Sequence, residues 1–168
     1  MKLKIIDDFL PEDLFIPLQK ALLGDSIDWY YQNSKTRPDE LTESFQFVHQ
    51  FFDSRDIERQ PSDKAYIIKP LLRYLTPHVI LRVKANLTTR TTLHDVSELH
   101  NDFLFGNKTA IYYVNTNNGY TRFEDNTIVP SIANRVVIFD CKHRHSGVTC
   151  TDEKVRVVLN VNYFPIKI

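Results

Sequence analysis

Cysteine is scarce in this chain. Only Cys141 and Cys150 occur in 168 residues, which does not make a disulfide framework. A disulfide-stapled secreted scaffold is therefore not expected, and a reducing, cytoplasmic setting is. Long apolar runs are missing too. No stretch approaches the roughly 20 residues of a membrane-spanning helix, so no membrane partner is expected. The opening Met1-Lys2-Leu3-Lys4-Ile5-Ile6-Asp7-Asp8 turns acidic where a signal peptide would need its apolar stretch. An excess of either charge is absent as well: 21 Lys and Arg balance 21 Asp and Glu. No basic patch marks a nucleic-acid surface, so nucleic acid is not an expected partner. Repeats and low-complexity tracts are lacking, and the length suits one domain over residues 1–168 with a sizeable core.

What the chain does have is two early helical patterns followed by many short strands. Residues 3–6 read as a strand. Pro11, Glu12 and Asp13 open a helix whose Leu14, Leu18 and Leu22 recur at helical spacing and which Gly24 closes. Residues 28–32 and the aromatic stretch around Phe45, Phe47, Phe51 and Phe52 read as strands on either side of a polar loop, Asn33–Glu43. A second helix is expected from Ser62, as cap, to Leu75, with Ile67, Leu71, Leu72 and Leu75 on its apolar side and Pro77 as its stop. From His78 the period changes to two. Arg82, Lys84 and Asn86 share one face there, and Val83, Ala85 and Leu87 the other. After a loop over Thr88–Glu98, strands follow at 109–115, 120–124, 135–140 and 154–164. Asn117-Asn118-Gly119 signals a hairpin and Asp125-Asn126 another turn. Helices first, then strands at regular intervals, point to a mainly β double-sheet jelly roll or barrel with helical support.

The chemistry concentrates in Leu99-His100-Asn101-Asp102-Phe103. In an extended strand, residues two apart face the same way, so His100 and Asp102 can present an imidazole and a carboxylate to one metal ion. His145 is the candidate third ligand. Two His and one carboxylate on one face of an octahedral ion leave three positions open, the arrangement of non-haem Fe(II) sites that use O₂. Spacing alone does not decide this. With six His and 14 Asp, a His-x-Asp pair arises readily by chance, and the bland alternative is a half-buried strand histidine hydrogen-bonded to Asp102. His143 could serve in place of His145 on chemistry alone. Cys141, His143, His145 and Cys150 also form a conceivable zinc set, although their order is unlike the common zinc spacings. Arg156 is harder to explain away, because a charge inside an otherwise apolar strand needs a partner.

Taken in order, His100-Asn101-Asp102, Thr109-Ala110-Ile111-Tyr112-Tyr113-Val114-Asn115, Gly119-Tyr120-Thr121-Arg122-Phe123, Asn134-Arg135-Val136-Val137-Ile138-Phe139-Asp140, His145-Ser146-Gly147 and Arg156 resemble the Fe(II)- and 2-oxoglutarate-dependent dioxygenases, especially their small prolyl-hydroxylase-like members. The resemblance covers most of the chain and implies a double-stranded β-helix, or jelly roll. It also implies a hydroxylase that uses Fe(II), 2-oxoglutarate and O₂ and releases succinate and CO₂. Its ligands would be His100, Asp102 and His145, the Ser-Gly after His145 favouring it over His143. Arg156 would pair with the distal carboxylate of 2-oxoglutarate, since a guanidinium fork matches a carboxylate. Tyr113 matches a tyrosine that donates to the same carboxylate, and Asn160, on the face of Arg156, could line that pocket. The related halogenases lack the carboxylate ligand, so Asp102 implies hydroxylation. The expected substrate is a peptide or small molecule, in particular a peptidyl or free amino acid. The competing readings are a non-catalytic jelly-roll binding protein and a structural zinc protein.

Overall fold

A computed structural model of the chain describes residues 2–35, 44–56, 58, 60–103 and 107–166. Most of the expected polar loop, residues 36–43, lies outside them. The elements in chain order are β1 (Lys4–Ile6), α1 (Glu12–Leu23), β2 (Tyr30–Gln32), β3 (Gln46–Asp53), a 3₁₀ turn (Ala65–Ile68), α2 (Lys69–Leu75), β4 (Pro77–Thr89), β5 (Lys108–Tyr113), β6 (Tyr120–Phe123), β7 (Ile128–Pro130), β8 (Arg135–Asp140), β9 (His145–Val148) and β10 (Val155–Pro165).

The strands form two antiparallel sheets, a major one ordered β1-β8-β5-β10-β4-β3-β2 and a minor one ordered β7-β6-β9. This is the jelly roll that the strand pattern suggests. Two isolated bridges, Val96↔Val148 and His100↔His145, lay residues 96–100 along the free side of β9.

The period-two sequence of β10 decides which face does what. Its Val157, Leu159 and Val161 lie level with Leu87, Ala85 and Val83 of β4, and the latter two also with Tyr112 and Ala110 of β5. Together they make an outer apolar face packed with Leu18 and Leu22 of α1 and Leu71 and Leu75 of α2. Leu22 and Leu71 are fully buried there, and truncating either to Ala should cost about 2–5 kcal/mol. The opposite face carries Arg156, Val158, Asn160 and Asn162, level with Thr88, Asn86, Lys84 and Arg82 of β4. It looks toward the minor sheet. Ile111, Tyr113, Phe123, Val129, Val137, Phe139 and Val158 fill one end of that space, and the remainder is polar.

Asn134 ties the N-terminal segment to this frame. It holds a left-handed φ of 63°, accepts from Leu10 N at 2.9 Å and Tyr112 Oη at 2.8 Å, and donates to Leu10 O at 2.8 Å.

Four details differ from the sequence reading. The second helix divides into a 3₁₀ turn and α2 with Pro70 at its start. Proline has no N–H and its ring crowds the carbonyl four residues back, so the turn before it winds tightly. The Ser62 hydroxyl accepts from Lys64 N at 3.1 Å, ahead of that turn. Asn117-Asn118-Gly119 is no hairpin, because β5 pairs with β10 and β8 whereas β6 pairs with β7 and β9. The segment crosses from one sheet to the other. Finally, β7 and β9 are strands that the sequence pattern leaves unmarked, each being only 3 or 4 residues long. Among the described residues, no helix is long and apolar enough to cross a membrane.

Candidate metal and anion site

The bridge at His100 and His145 starts the site. The two residues exchange both backbone hydrogen bonds, each 3.0 Å, and their rings lie 4.8 Å apart on one side of the minor sheet. Asp102 follows two residues on. Its Oδ1 is 4.0 Å from His100 Nε2 and its Oδ2 is 3.9 Å from His145 Nε2. Among the described residues, these three alone form a His/Cys/Asp/Glu group whose ligand atoms converge, all within 4.8 Å of one another. His143, by contrast, sits in the turn before β9 with Nδ1 3.7 Å from Glu124 Oε1, and the Cys141, His143, His145 and Cys150 set does not converge.

The electrostatics suit a cation. His100 Nδ1 lies 3.0 Å from the Glu98 carbonyl, to which it can only donate, which leaves Nε2 as the nitrogen facing Asp102. Burial, opposed by Asp102 and reinforced by His100, pulls His145 down to about 4, so its imidazole is neutral at pH 7. Burial pushes the Asp102 carboxyl up, but the attraction of Arg82, with Lys84 adding to it, outweighs it and holds Asp102 ionised, well below the usual carboxylate range. Two imidazole nitrogens and one carboxylate are the donor set of a non-haem ferrous site, so the residues fit that ion.

Two groups holding Asp102 escaped the sequence reading. Arg82 Nη2 is 2.6 Å from Asp102 Oδ1, and Asn162 Nδ2 is 3.3 Å from Oδ2. Arg82 Nε also donates to Asn162 Oδ1 at 3.1 Å, and its guanidinium lies over the Phe103 ring, 5.4 Å from the centroid. The signal was present: Arg82 alternates with apolar residues in a strand, as Arg156 does.

Arg156 is buried on the same face of β10. Its Nε donates to Ser131 Oγ at 2.9 Å and its Nη2 to Thr121 Oγ1 at 3.2 Å, and no carboxylate neutralises it among the described residues. Burial lowers its pKa, Tyr113 and Cys150 opposing the shift. Tyr113 lies under the guanidinium, 5.7 Å from ring centroid to Cζ, and donates its hydroxyl to Thr121 Oγ1 at 2.8 Å. Burial raises the Tyr113 pKa, keeping it a phenol. Thr121 Oγ1 thus accepts from two donors, and its own proton is left to donate elsewhere. Gly119 makes room for this arrangement. A Cβ there would stand 2.7 Å from Arg156 Cδ and 2.8 Å from Val148 O.

These groups line one cavity of about 70 Å³. His100, Asp102, His145, Thr121, Arg156, Asn160 and Lys84 line it, and Thr121 rather than Tyr113 forms the wall at that end. Asn160 Oδ1 is buried there without a hydrogen-bond partner. His94 stays outside, its Nδ1 2.7 Å from Thr149 O, and His49 is a core residue bonded to Asp28 O and Ser62 Oγ.

No family model and no curated protein sequence matches this chain. Solved structures do. A prolyl-4-hydroxylase from Pseudomonas putida is 13% identical, with a TM-score of 0.59 over 98% of this chain and 93% of that one. A prolyl hydroxylase from Trichoplax adhaerens, in complex with a hypoxia inducible factor peptide fragment, is 12% identical, with a TM-score of 0.64 over 96% and 83%. The fold is that of the 2OG-Fe(II) oxygenases. The non-heme alpha ketoglutarate dependent epimerase SnoN of nogalamycin biosynthesis shares it at 13% identity, with a TM-score of 0.62 over 97% and 77%. These three structures match 96–98% of this chain.

Proposed function

We propose that the protein is an Fe(II)- and 2-oxoglutarate-dependent dioxygenase that hydroxylates a peptidyl or free amino acid and releases succinate and CO₂. One observation carries the reading: the convergent His100, Asp102 and His145 share a cavity with a buried arginine that lacks an anion. Structures of this fold include a viral collagen prolyl hydroxylase in complex with 2-oxoglutarate and the peptide-bound prolyl hydroxylase described above, which supports both cosubstrate and substrate class.

In this reading His100, Asp102 and His145 hold the iron, and Arg82 and Asn162 fix the carboxylate that faces it. Bound iron would supply the coupling of O₂ reduction and 2-oxoglutarate decarboxylation to insertion of oxygen into a C–H bond. Arg156 takes the distal carboxylate of 2-oxoglutarate as a charge-assisted pair. The free Thr121 proton adds a second donor, and Tyr113 acts through Thr121 by occupying its lone pair. Asn160 lines the same pocket. The intact carboxylate ligand supports hydroxylation over halogenation, and the two unpaired cysteines support a reducing cytoplasmic setting that keeps iron ferrous.

The test is succinate formed from 2-oxoglutarate by the iron-loaded protein. His100→Ala, Asp102→Ala and His145→Ala should abolish it, and His143→Ala should retain it. Loss with His143→Ala alone would reassign the third ligand, and no succinate from the unmodified protein would defeat the catalytic reading.

A further inference from the structure

The cavity holds more positive charge than one 2-oxoglutarate carboxylate at Arg156 would meet. Asp102 is the only carboxylate among the described residues that line it, and Arg82 already pairs with Asp102. Lys35, also on the wall, is paired with Asp95. Two cations are left, Arg156 and Lys84. Lys84 Nζ has no hydrogen bond or ion pair among the described residues, although Lys84 projects from the inner face of β4 between Arg82 and Asn86. Lys84 is half-buried and lines the cavity. Asn160 stands level with it on β10, and Asn86 follows two residues along β4. Both asparagines line the same cavity.

The two cations also face different parts of the cavity. Arg156 stands level with Thr88 on β4 and reaches across to Thr121 and Ser131, beside the minor sheet. Lys84 is four residues further along the strand, about 13 Å at strand rise, next to the Arg82 that holds Asp102. Burial and the neighbouring Arg82 pull the Lys84 ammonium down to about 8, with Asp102 opposing, so it remains mostly charged at pH 7. A half-buried ammonium without a partner among the described residues can form a charge-assisted hydrogen bond with a ligand's anion.

We propose that Lys84 forms a second anion subsite, and that the substrate carries a carboxylate which this subsite recognises. The inference rests on the dioxygenase reading for the identity of the first anion, and it makes Lys84 a specificity-determining residue of the same cavity. An acidic amino acid or an acidic peptide residue is the substrate class it selects.

The experiment is calorimetric titration of the protein loaded with Mn(II) and 2-oxoglutarate, using N-acetyl-L-aspartate and its uncharged counterpart N-acetyl-L-asparagine. A charge-assisted hydrogen bond makes the aspartate derivative bind about tenfold to a hundredfold more tightly. Lys84→Met removes that preference, Lys84→Gln checks the loss with a polar side chain, and Lys84→Arg keeps most of it. Equal binding of the two probes, binding of neither, or an unchanged preference in Lys84→Met overturns the proposal. A loss of about tenfold in 2-oxoglutarate affinity in Lys84→Met, with the aspartate preference retained, also overturns it, because the cosubstrate's own carboxylate would then be the anion at Lys84. Failure of 2-oxoglutarate to bind the unmodified protein defeats the dioxygenase reading instead. The two probes, titrated into protein holding Mn(II) alone, still test Lys84.

Discussion

Replacing Arg82 by Met separates what the protein contributes to the metal site from what the metal contributes. Arg82 Nη2 and Asp102 Oδ1 are 2.6 Å apart, with side chains 9% and 6% exposed. The substitution roughly keeps the stem and removes the only strong positive partner of a buried carboxylate. Lys84, mostly charged at pH 7, is the remaining cation that attracts Asp102, and it makes no hydrogen bond to it. Asn162 Nδ2 is a long 3.3 Å from Oδ2, and His145, pulled to about 4, is uncharged at pH 7. Stripping one partner from a buried pair typically costs about 3–5 kcal/mol, most of it the burial of the orphaned charge. We expect the metal-free variant to lose about 3 kcal/mol at pH 7, the low end, because Asp102 can take up a proton instead. A divalent cation held by His100, Asp102 and His145 restores positive charge beside the carboxylate. Loss in the Mn(II)-saturated protein should therefore fall to about 1 kcal/mol, the part due to packing on Phe103. Urea unfolding of the two proteins with and without Mn(II) gives all four values. A loss of equal size in both states would mean that no cation sits against Asp102. No loss in the metal-free state would mean that the pair does not stabilise the apoprotein.

Three further outcomes are expected. Lys84→Met should stabilise the metal-free protein by about 3 kcal/mol near pH 7, since each pK step below the ordinary lysine value costs about 1.4 kcal/mol. The sign follows from the lowered folded-state pKa: the penalty is complete below about 8, shrinks as pH rises, and is gone above 10.5, so urea unfolding at pH 7 and pH 10.5 should give a large gain and almost none. Gly119→Ala pushes on the Arg156 stem and on Val148 O, so 2-oxoglutarate affinity measured by calorimetry should fall by about tenfold or more while metal affinity is kept; equal affinities would show that the stem can move aside. Asn134→Ala loses the hydrogen bonds to Leu10 and Tyr112 and places Ala at a left-handed φ of 63°, and thermal unfolding should report a loss of about 2–4 kcal/mol, a loss under about 1 kcal/mol contradicting the hub.

The sequence shows the major sheet well and the minor sheet poorly, for a physical reason. β4 and β10 are 13 and 11 residues long and carry an apolar face opposite a mostly polar one, so their alternation is easy to read. β7 and β9 are too short to display a period, and β9 begins at the histidine that the site uses. Asn117-Asn118-Gly119 misleads because a glycine required for close approach to Arg156 looks the same in sequence as one required for a turn. At the site, Arg156 and Asn160 were legible from strand periodicity, whereas His100 and Asp102 were legible only from the ordered resemblance, because residues 100–102 are not a strand: His100 makes an isolated bridge and Asp102 lies in a bend. Thr121 was hidden, because nothing in Tyr-Thr-Arg-Phe says that the threonine hydroxyl gathers Tyr113 and Arg156. Arg82 and Lys84 were visible as a polar face, but their partners, Asp102 for one and none for the other, depend on the pairing of strands distant in sequence.

The most direct test of the account is an anaerobic titration of the purified protein with Fe(II) and then 2-oxoglutarate, following the weak visible charge-transfer absorption of an iron–keto-acid chelate. The account predicts that the band appears, saturates at one equivalent of each, and is lost in Asp102→Ala and Arg156→Ala. Iron bound without any band would contradict the assignment of 2-oxoglutarate to the cavity, and no iron bound would contradict the metal site itself.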